Sequence, residues 1–184
     1  MRVQKAFLGL AAIGFVAMLV MPWGAHDDQA VLDAVTGLGG QWVDRPAPQF
    51  ELLDRGGQRR ALSDYRGQVV FLNFWASFCE PCRREMPSME NLVRQYSAEG
   101  MVMLAVSMDT DAADADRFME EFLPGQRSAM TILLDPSGDV GKSYGTEKIP
   151  ETYIIDRSGR VVARFVGEYD WTRPQVKQII EALL

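Results

Sequence analysis

The stretch VVFLNFWASFCEPCRREMP, residues 69–87, decides the fold. Its first part, residues 69–75, is almost entirely apolar and rich in β-branched and aromatic residues, which is typical of a strand buried on both faces of a sheet. The segment from residue 80 to residue 99 then has apolar residues at helical spacing, and a second apolar run, MVMLAVSM, fills residues 101–108. This order predicts a βαβ unit with two parallel strands, the first of them central in the sheet.

Further elements are predicted on the carboxyl side of this unit. Pro87 falls inside the predicted helix and should kink it. Turn residues 156–159 join two β-rich runs, which predicts an antiparallel hairpin. The predicted elements are a helix at 111–123, a strand at 130–134, hairpin strands at 152–155 and 160–166, and a last helix that begins with a capping box of Thr172 and Gln175. The whole predicts an α/β domain with a central mixed sheet flanked by helices on both sides.

The two cysteines of the chain, Cys79 and Cys82, lie where the first strand passes into the helix. Backbone N–H groups and the dipole at a helix N-terminus stabilise a thiolate, and Pro81 suits the first helical turn because no N–H is needed there. A disulfide between cysteines so close in sequence closes too short a loop to stabilise much, so the pair is expected to matter by reacting. A zinc site needs about four ligands, and His26 is the one further N or S donor. Zinc binding and an inert buried pair are therefore the weaker alternatives to redox chemistry.

Length and composition limit the remaining classes. The chain has 184 residues, a hydrophobic fraction of 47% and a net charge of −6, which fits one globular domain and disfavours nucleic acid as a partner.

The amino-terminal part predicts membrane attachment. Residues 6–23 carry no charge, with Arg2 and Lys5 before them and acids after them. We therefore predict a signal anchor or transmembrane helix over residues 1–25 with the following chain outside the cytoplasm, and a cleaved signal peptide as the alternative. Residues 26–45 are interpreted as a linker with a weak helix, and residues 46–184 as the domain.

Three segments together carry a resemblance to a known family: FLNFWASFCEPCRREMP at 71–87, APQFEL at 47–52 and IPETY at 149–153. They resemble the membrane-anchored, periplasm-facing disulfide reductases of the TlpA/ResA/CcmG (DsbE) type in the thioredoxin superfamily. The resemblance extends over about residues 47–184. It implies a thioredoxin-like fold with an N-terminal extension, a helical insertion near 111–123, and a cis Pro150 that faces the cysteine pair.

The same resemblance implies the reaction and the partners. Cys79 would attack a disulfide of a client protein and Cys82 would resolve the mixed disulfide, with no cofactor beyond the redox-active disulfide and no metal. The implied client is apocytochrome c or a copper-site protein of a terminal oxidase, and the implied electron donor is a membrane protein of the DsbD/CcdA kind. The implied location is the bacterial inner membrane, single-pass, with the catalytic domain in the periplasm.

Other residues near the pair are given roles as hypotheses. Glu85 lies three residues after Cys82, on the same helical face, and should tune the thiols and help select the client, or else be a solvated surface acid. Ile149 and Pro150 should bind an extended client segment through the backbone, and Phe78 should offer an apolar contact. Trp75 is given the same role, with a core aromatic as an equally good interpretation. Three further residues are expected to tune the site: Glu80 by like-charge repulsion of the thiolate, Pro81 by its place in the first turn, and Asn73 because it stands where thioredoxins carry a buried acid.

Two functions of other classes stay open on the same fold. A copper-delivery protein would bind metal through the two thiolates, although no histidine follows Asp27. A thiol peroxidase is raised by the segment FELLD at 50–54, although the threonine-and-cysteine pattern of such enzymes is missing.

Overall fold

The computed structural model describes residues 28–184. The predicted anchor at residues 1–25 lies outside this range. Among the described residues, no helix combines the length and the apolar character needed to cross a membrane.

The centre of the molecule is one mixed sheet, with the strand order β1-β8-β7-β4-β5-β6-β2-β3. β4 pairs in parallel with β5, and β5 with β6, whereas the other neighbouring strands are antiparallel. The strands are β1 (Gln41–Pro46), β2 (Glu51–Asp54), β3 (Arg59–Ala61), β4 (Val69–Trp75), β5 (Met101–Ser107), β6 (Thr131–Leu134), β7 (Glu151–Ile155) and β8 (Arg160–Val166). The predicted parallel pair and the predicted hairpin are both confirmed, as β4–β5 and β7–β8.

Helices cover both faces of the sheet, but unequally. They are α1 (Asp28–Gly37), α2 (Glu80–Tyr96), α3 (Ala112–Phe122), α4 (Asp139–Tyr144) and α5 (Pro174–Leu183), with 3-10 turns at Leu62–Tyr65 and Ser97–Glu99. Residues of α1, α2, α3 and α5 pack into the core on one face, and α4 with the first 3-10 turn packs on the other. α2 continues through Pro87 to Tyr96 as one helix.

β4 lies in the middle of the sheet because both of its faces are apolar. Phe71 and Trp75 point into the core under α2, and Leu72 and Phe74 point into the opposite core. All seven residues of β4 are buried. Asn73 is the polar exception on the α2 face, and its polarity places a hydrogen-bonding group beneath the first turns of α2.

Over residues 28–45 the structure has the expected helix, but this segment is part of the domain and not a linker. Helix α1 packs against α5, and its residues Val31 and Val35 are fully buried. Strand β1 extends the sheet by pairing with β8. Buried residues recur on α1 at helical spacing, so this segment gains enough apolar contact to fold as part of the domain.

One smaller expectation also differs, and four elements were not expected. The last helix begins at Pro174 with Arg173 as its N-cap and no side-chain cap, so the capping box is wrong. The hydroxyl of Thr172 donates instead to Asp170 Oδ1, 2.6 Å away. The elements β1, β2, β3 and α4 were not predicted, because strands of three to six residues and a six-residue helix have too few residues to show a periodic pattern.

Candidate active site

Cys79 and Cys82 form a disulfide at the N-terminus of α2, with an S–S distance of 2.07 Å. Cys79 is the N-cap of the helix, and its sulfur accepts the backbone N–H of Cys82 at 3.3 Å. Cys82 is fully buried, whereas 8% of Cys79 is exposed. Of the two sulfurs, that of Cys79 is therefore the one that an external disulfide can approach, and it lies where the helix N-terminus stabilises a thiolate.

The two aromatic residues expected to contact a client behave differently. Phe78 precedes Cys79 and is 78% exposed, the most exposed large apolar residue of the described chain. Trp75 is wholly buried and packs against Phe118 of α3, with ring centroids 5.0 Å apart. The expectation of a client contact at Trp75 is therefore wrong, because β4 is covered on this face by helices.

A buried carboxylate that the sequence analysis missed holds the loop before Cys79. Asp109 accepts the backbone N–H of Ser77 at 3.0–3.1 Å and the Ser77 hydroxyl at 2.8 Å. It also accepts the hydroxyl of Ser107 at 2.8 Å. The end of β5 thus orients the loop that carries Phe78 and Cys79. Nothing in the spacing of Asp109 could have shown this, since 32 residues separate it from Ser77.

Glu85 lies in the core and not at the surface, with 2% of its area exposed. One carboxylate oxygen, Oε1, accepts from Asn73 Nδ2 at 3.0 Å. The other, Oε2, accepts from the backbone N–H of Tyr169 and from the indole N–H of Trp171, both at 3.2 Å. The solvated-acid interpretation of Glu85 is therefore wrong, since this carboxylate joins α2, β4 and the segment after β8.

Burial raises the pKa of Glu85 to about 7, because a low-dielectric surrounding disfavours the charged form. The hydrogen bonds from Tyr169, Trp171 and Asn73 oppose this rise, and the negative charge of Glu168 adds to it. Glu85 can therefore exchange a proton near neutral pH. It lies one turn from Cys82 on the same face of α2, which is where a proton acceptor for that thiol is needed.

Exposed charges surround the entrance to the site. Arg84 binds Glu168 at 2.6 Å and lies 3.6 Å from Glu80. Arg83 lies 4.0 Å from Glu80 and over the ring of Phe118. The ion pair with Arg84 lowers the pKa of Glu168. Glu80, expected to repel the thiolate, thus stands opposite two arginines, which weaken that repulsion.

The Ile149–Pro150 peptide bond is cis, as the resemblance implied. Strand β7 begins directly after it, and Glu151 pairs with Phe74 of β4. Pro150 therefore lies at the end of the sheet where β4 stops and the cysteine loop begins. Pro150 is buried and Ile149 is half-buried.

The structure thus gathers most of the predicted site residues at one end of the sheet. Cys79, Cys82 and Pro81 begin α2, Asn73 and Glu85 touch beneath it, and Ile149 and Pro150 lie alongside. Phe78 and Glu80 lie on the surface above. Within residues 28–184, no cluster of three or more His, Cys, Asp or Glu side chains is placed to hold a metal ion.

Comparisons with known proteins agree with this arrangement. The model of the AhpC/TSA family matches residues 43–164. The thiol-disulfide oxidoreductase ResA of Geobacillus thermodenitrificans is 36% identical over 141 residues, which is 77% of this chain and 78% of that protein. The thioredoxin-like protein YneN of Bacillus subtilis is 34% identical over 73% of this chain and 76% of its own.

A solved structure shows the same fold. The protein described as thiol:disulfide interchange protein DsbE from Chlorobium tepidum superposes with a TM-score of 0.70 at 34% identity. The match covers 78% of this chain and all of that one.

Together the fold and these relatives define a thioredoxin-like redox enzyme, a thiol-disulfide oxidoreductase. Such enzymes use a redox-active disulfide and need no further cofactor. Within that class the chain belongs to the AhpC/TSA family and is of the TlpA/ResA/CcmG type.

Proposed function

We propose that this protein reduces disulfides of client proteins through the pair Cys79 and Cys82. The observation that carries the proposal is the N-cap position of the partly exposed Cys79 over the buried Cys82, with the carboxyl of Glu85 one turn further along α2. In the reduced enzyme the Cys79 thiolate attacks one sulfur of the client disulfide. A mixed disulfide forms, and the other client sulfur leaves as a thiolate with the bonding electron pair.

The second step returns the enzyme to the disulfide form. The Cys82 thiol gives its proton to the Glu85 carboxylate, and the Cys82 thiolate attacks the sulfur of Cys79. The Cys79–Cys82 bond forms, the bond to the client breaks, and the client leaves with two reduced sulfurs. A carboxyl group with a pKa of about 7 is suited to this transfer, because it can both accept and release a proton near neutral pH.

Client binding is assigned to Phe78 and to the segment Ile149–Pro150. Phe78 gives an exposed apolar contact beside the reactive sulfur. Within this segment Ile149 offers its backbone groups to an extended chain, as a short form of strand addition, since Pro150 has no N–H and its carbonyl already accepts the Gly167 N–H at 2.8 Å.

The family and the amino-terminal sequence support a proposed location and proposed partners. The uncharged segment at residues 6–23 supports a single-pass anchor in the bacterial inner membrane, with this domain in the periplasm. Apocytochrome c or a copper-site protein of a terminal oxidase is the proposed client. A membrane thiol-electron donor of the DsbD/CcdA kind is the proposed source of electrons, because an oxidising periplasm would otherwise keep the pair as a disulfide.

The full-length protein tests the reaction directly. With a reductant supplied, it should catalyse the reduction of insulin, and a Cys82→Ser variant should accumulate a mixed disulfide with its client, whereas Cys79→Ser should not. A reduction potential near about −250 mV or lower is expected of a reductant. A potential near about −120 mV, or a Cys82→Ser variant that never traps a client, would contradict the proposal.

A further inference from the structure

We propose that Asn73 and Thr152 are positioning residues for the proton that Glu85 carries. Each time Glu85 is protonated, the side-chain carboxamide of Asn73 rotates by half a turn, so that its oxygen and its NH₂ group exchange places. The inference rests on the proposed function insofar as Glu85 exchanges a proton with the thiols. Its geometric basis is independent of any client.

The two oxygens of the Glu85 carboxylate have unlike surroundings. Oε2 faces two N–H donors, the backbone of Tyr169 and the indole of Trp171. Neither donor can be turned into an acceptor, since a peptide N–H and an indole N–H only donate. Oε1 faces a single donor, Asn73 Nδ2.

A proton on Glu85 must therefore sit on Oε1. On Oε2 it would point at two hydrogens that have no other partner in this pocket. On Oε1 the proton faces only the NH₂ group of Asn73. A carboxamide can exchange the positions of its NH₂ group and its oxygen by rotating about its last side-chain bond. After the rotation the Glu85 hydroxyl donates to Asn73 Oδ1, and a contact between two donors becomes a hydrogen bond.

The rest of the Asn73 surroundings permits either orientation. Asn73 is fully buried, and its Oδ1 has no hydrogen-bond partner among the described residues. The far end of the carboxamide carries an unpartnered Oδ1 before the rotation and an unpartnered NH₂ group after it, and the second arrangement costs more, because buried N–H groups without an acceptor are the rarer case. The near end, through Glu85 and the hydroxyl of Thr152, supplies the hydrogen bonds that offset this cost.

The hydroxyl of Thr152 can form a hydrogen bond with Asn73 whether Glu85 is ionised or protonated. Its Oγ1 accepts from Asn73 Nδ2 at 3.0 Å while Glu85 is ionised. A hydroxyl both donates and accepts, so the same group can donate to Asn73 Oδ1 after the rotation. Thr152 lies on β7, two residues after Pro150, and is 2% exposed.

Few ionisable groups face this pocket. On α2 they are Cys82, which titrates only in the reduced enzyme, and Glu85 itself. β4 and β7 present the neutral Asn73 and Thr152, and the segment after β8 presents Glu168, which is ionised beside Arg84. In the oxidised protein, Glu85 is therefore the group of this pocket that titrates near neutral pH.

The oxidised full-length protein in detergent gives the direct test, by nuclear magnetic resonance of the Asn73 side-chain NH₂ group. Above the Glu85 midpoint, near pH 7, these hydrogens should show contacts to the Thr152 side chain. Below the midpoint those contacts should disappear, and the NH₂ shifts should follow the Glu85 carboxyl carbon with one midpoint. An Asn73 orientation that is the same on both sides of that midpoint would overturn the inference.

A Glu85→Gln variant is the matched control. Tyr169 and Trp171 require an oxygen at the Oε2 position, so the new amide must turn its NH₂ toward Asn73. Asn73 should then present Oδ1 at every pH, without the contacts to Thr152. If this variant shows the contacts that the wild type shows at high pH, the inference is wrong.

Thr152→Val gives a second, nearly isosteric test. In the ionised state one Asn73 N–H loses its acceptor, whereas in the protonated state Oδ1 keeps its bond to Glu85. The Glu85 midpoint should therefore rise by about half a pH unit, and Thr152→Ser should restore it. An unchanged midpoint in Thr152→Val would count against the role of Thr152. None of these measurements needs a client, so a failure of insulin reduction and a failure of the Asn73 rotation are separate results.

Discussion

At the level of single residues, the neighbours of the cysteine pair fall into two groups, one exposed at the surface and one buried in the core. Glu80 and Phe78 flank Cys79 on the surface, whereas Glu85 and Asn73 lie beneath it in the core. The surface residues can change the reaction with a partner without changing the core. Their variants therefore separate effects on the chemistry from effects on folding.

Replacing Glu80 by histidine should raise the reduction potential. The substitution removes a negative charge beside the Cys79 thiolate, which stabilises the reduced form. Because the carboxylate is exposed and lies near Arg83 and Arg84, the rise should be only about 10–20 mV. Equilibration with glutathione buffers at pH 7.5 measures it. Glu99→His, in the 3-10 turn that follows the far end of α2, is the control, and an equal change in both variants would refute the explanation.

Replacing Phe78 by alanine should weaken client binding without weakening the fold. The exposed ring is expected to act as an apolar anchor, so KM for a protein client should rise about tenfold. Turnover of a small disulfide and the free energy of unfolding should stay unchanged. Leu53→Ala, an exposed apolar residue on β2 at the other side of the sheet, is the control. Loss of activity toward small and large disulfides alike would contradict the binding role.

At the level of elements, two segments outside the βαβ unit complete the domain. α1 packs on α5 and β1 extends the sheet beside β8. The segment between β8 and α5 is tied to α2 by the pair Arg84–Glu168 and by the bonds from Tyr169 and Trp171 to Glu85. The segment after β8 is thus bonded to the helix that carries the cysteines, and the amino-terminal part of the domain packs on β8 and α5.

A Val35→Ala variant tests whether α1 belongs to the domain. Val35 is fully buried, so truncation leaves a cavity and should lower the free energy of unfolding by about 2 kcal/mol. Thr36→Ala, exposed on the same helix, should have little effect. Chemical denaturation of the full-length protein gives both values. Equal, small effects at the two positions would mean that α1 contributes little to the stability.

At the level of the whole molecule, the sheet order creates the active site. β4 ends next to the start of β7 because the two are antiparallel neighbours, which brings the cysteine loop beside Pro150. β5 ends on the other side of β4 and supplies Asp109. One end of one sheet therefore holds the reactive sulfurs, the client-binding segment and the proton-exchanging carboxyl group.

The buried carboxyl also sets how the stability of the folded protein depends on pH. The pKa of Glu85 is about 7 in the folded protein and 4.5 when unperturbed, so between these values the folded state binds the proton and the unfolded state does not. The free energy of unfolding of the oxidised protein should therefore fall as the pH rises from about 4.5 to 7, by at most about 3 kcal/mol.

Glu85→Gln should remove most of this slope, which denaturation at several pH values would show. Carboxyl groups with lowered pKa values, such as Asp54 and Asp170, act in the opposite sense. Their stabilisation is lost as the pH falls below about 4, outside the window of Glu85. The same slope in both proteins would mean that Glu85 is not the group responsible.

The sequence by itself determined the strand–cysteine–helix unit, because hydrophobic period and helix-terminus chemistry are local properties that a short stretch displays. It also marked Cys79 and Cys82 as the reactive pair, and the family resemblance indicated Pro150 and Glu85. Only the tertiary structure decided that residues 28–46 pack into the domain, that Trp75 is buried, and that Asp109, Thr152, Tyr169 and Trp171 reach the site. These outcomes depend on contacts between residues far apart in the chain, where burial and hydrogen-bond partners are set by packing and have no signature in local spacing.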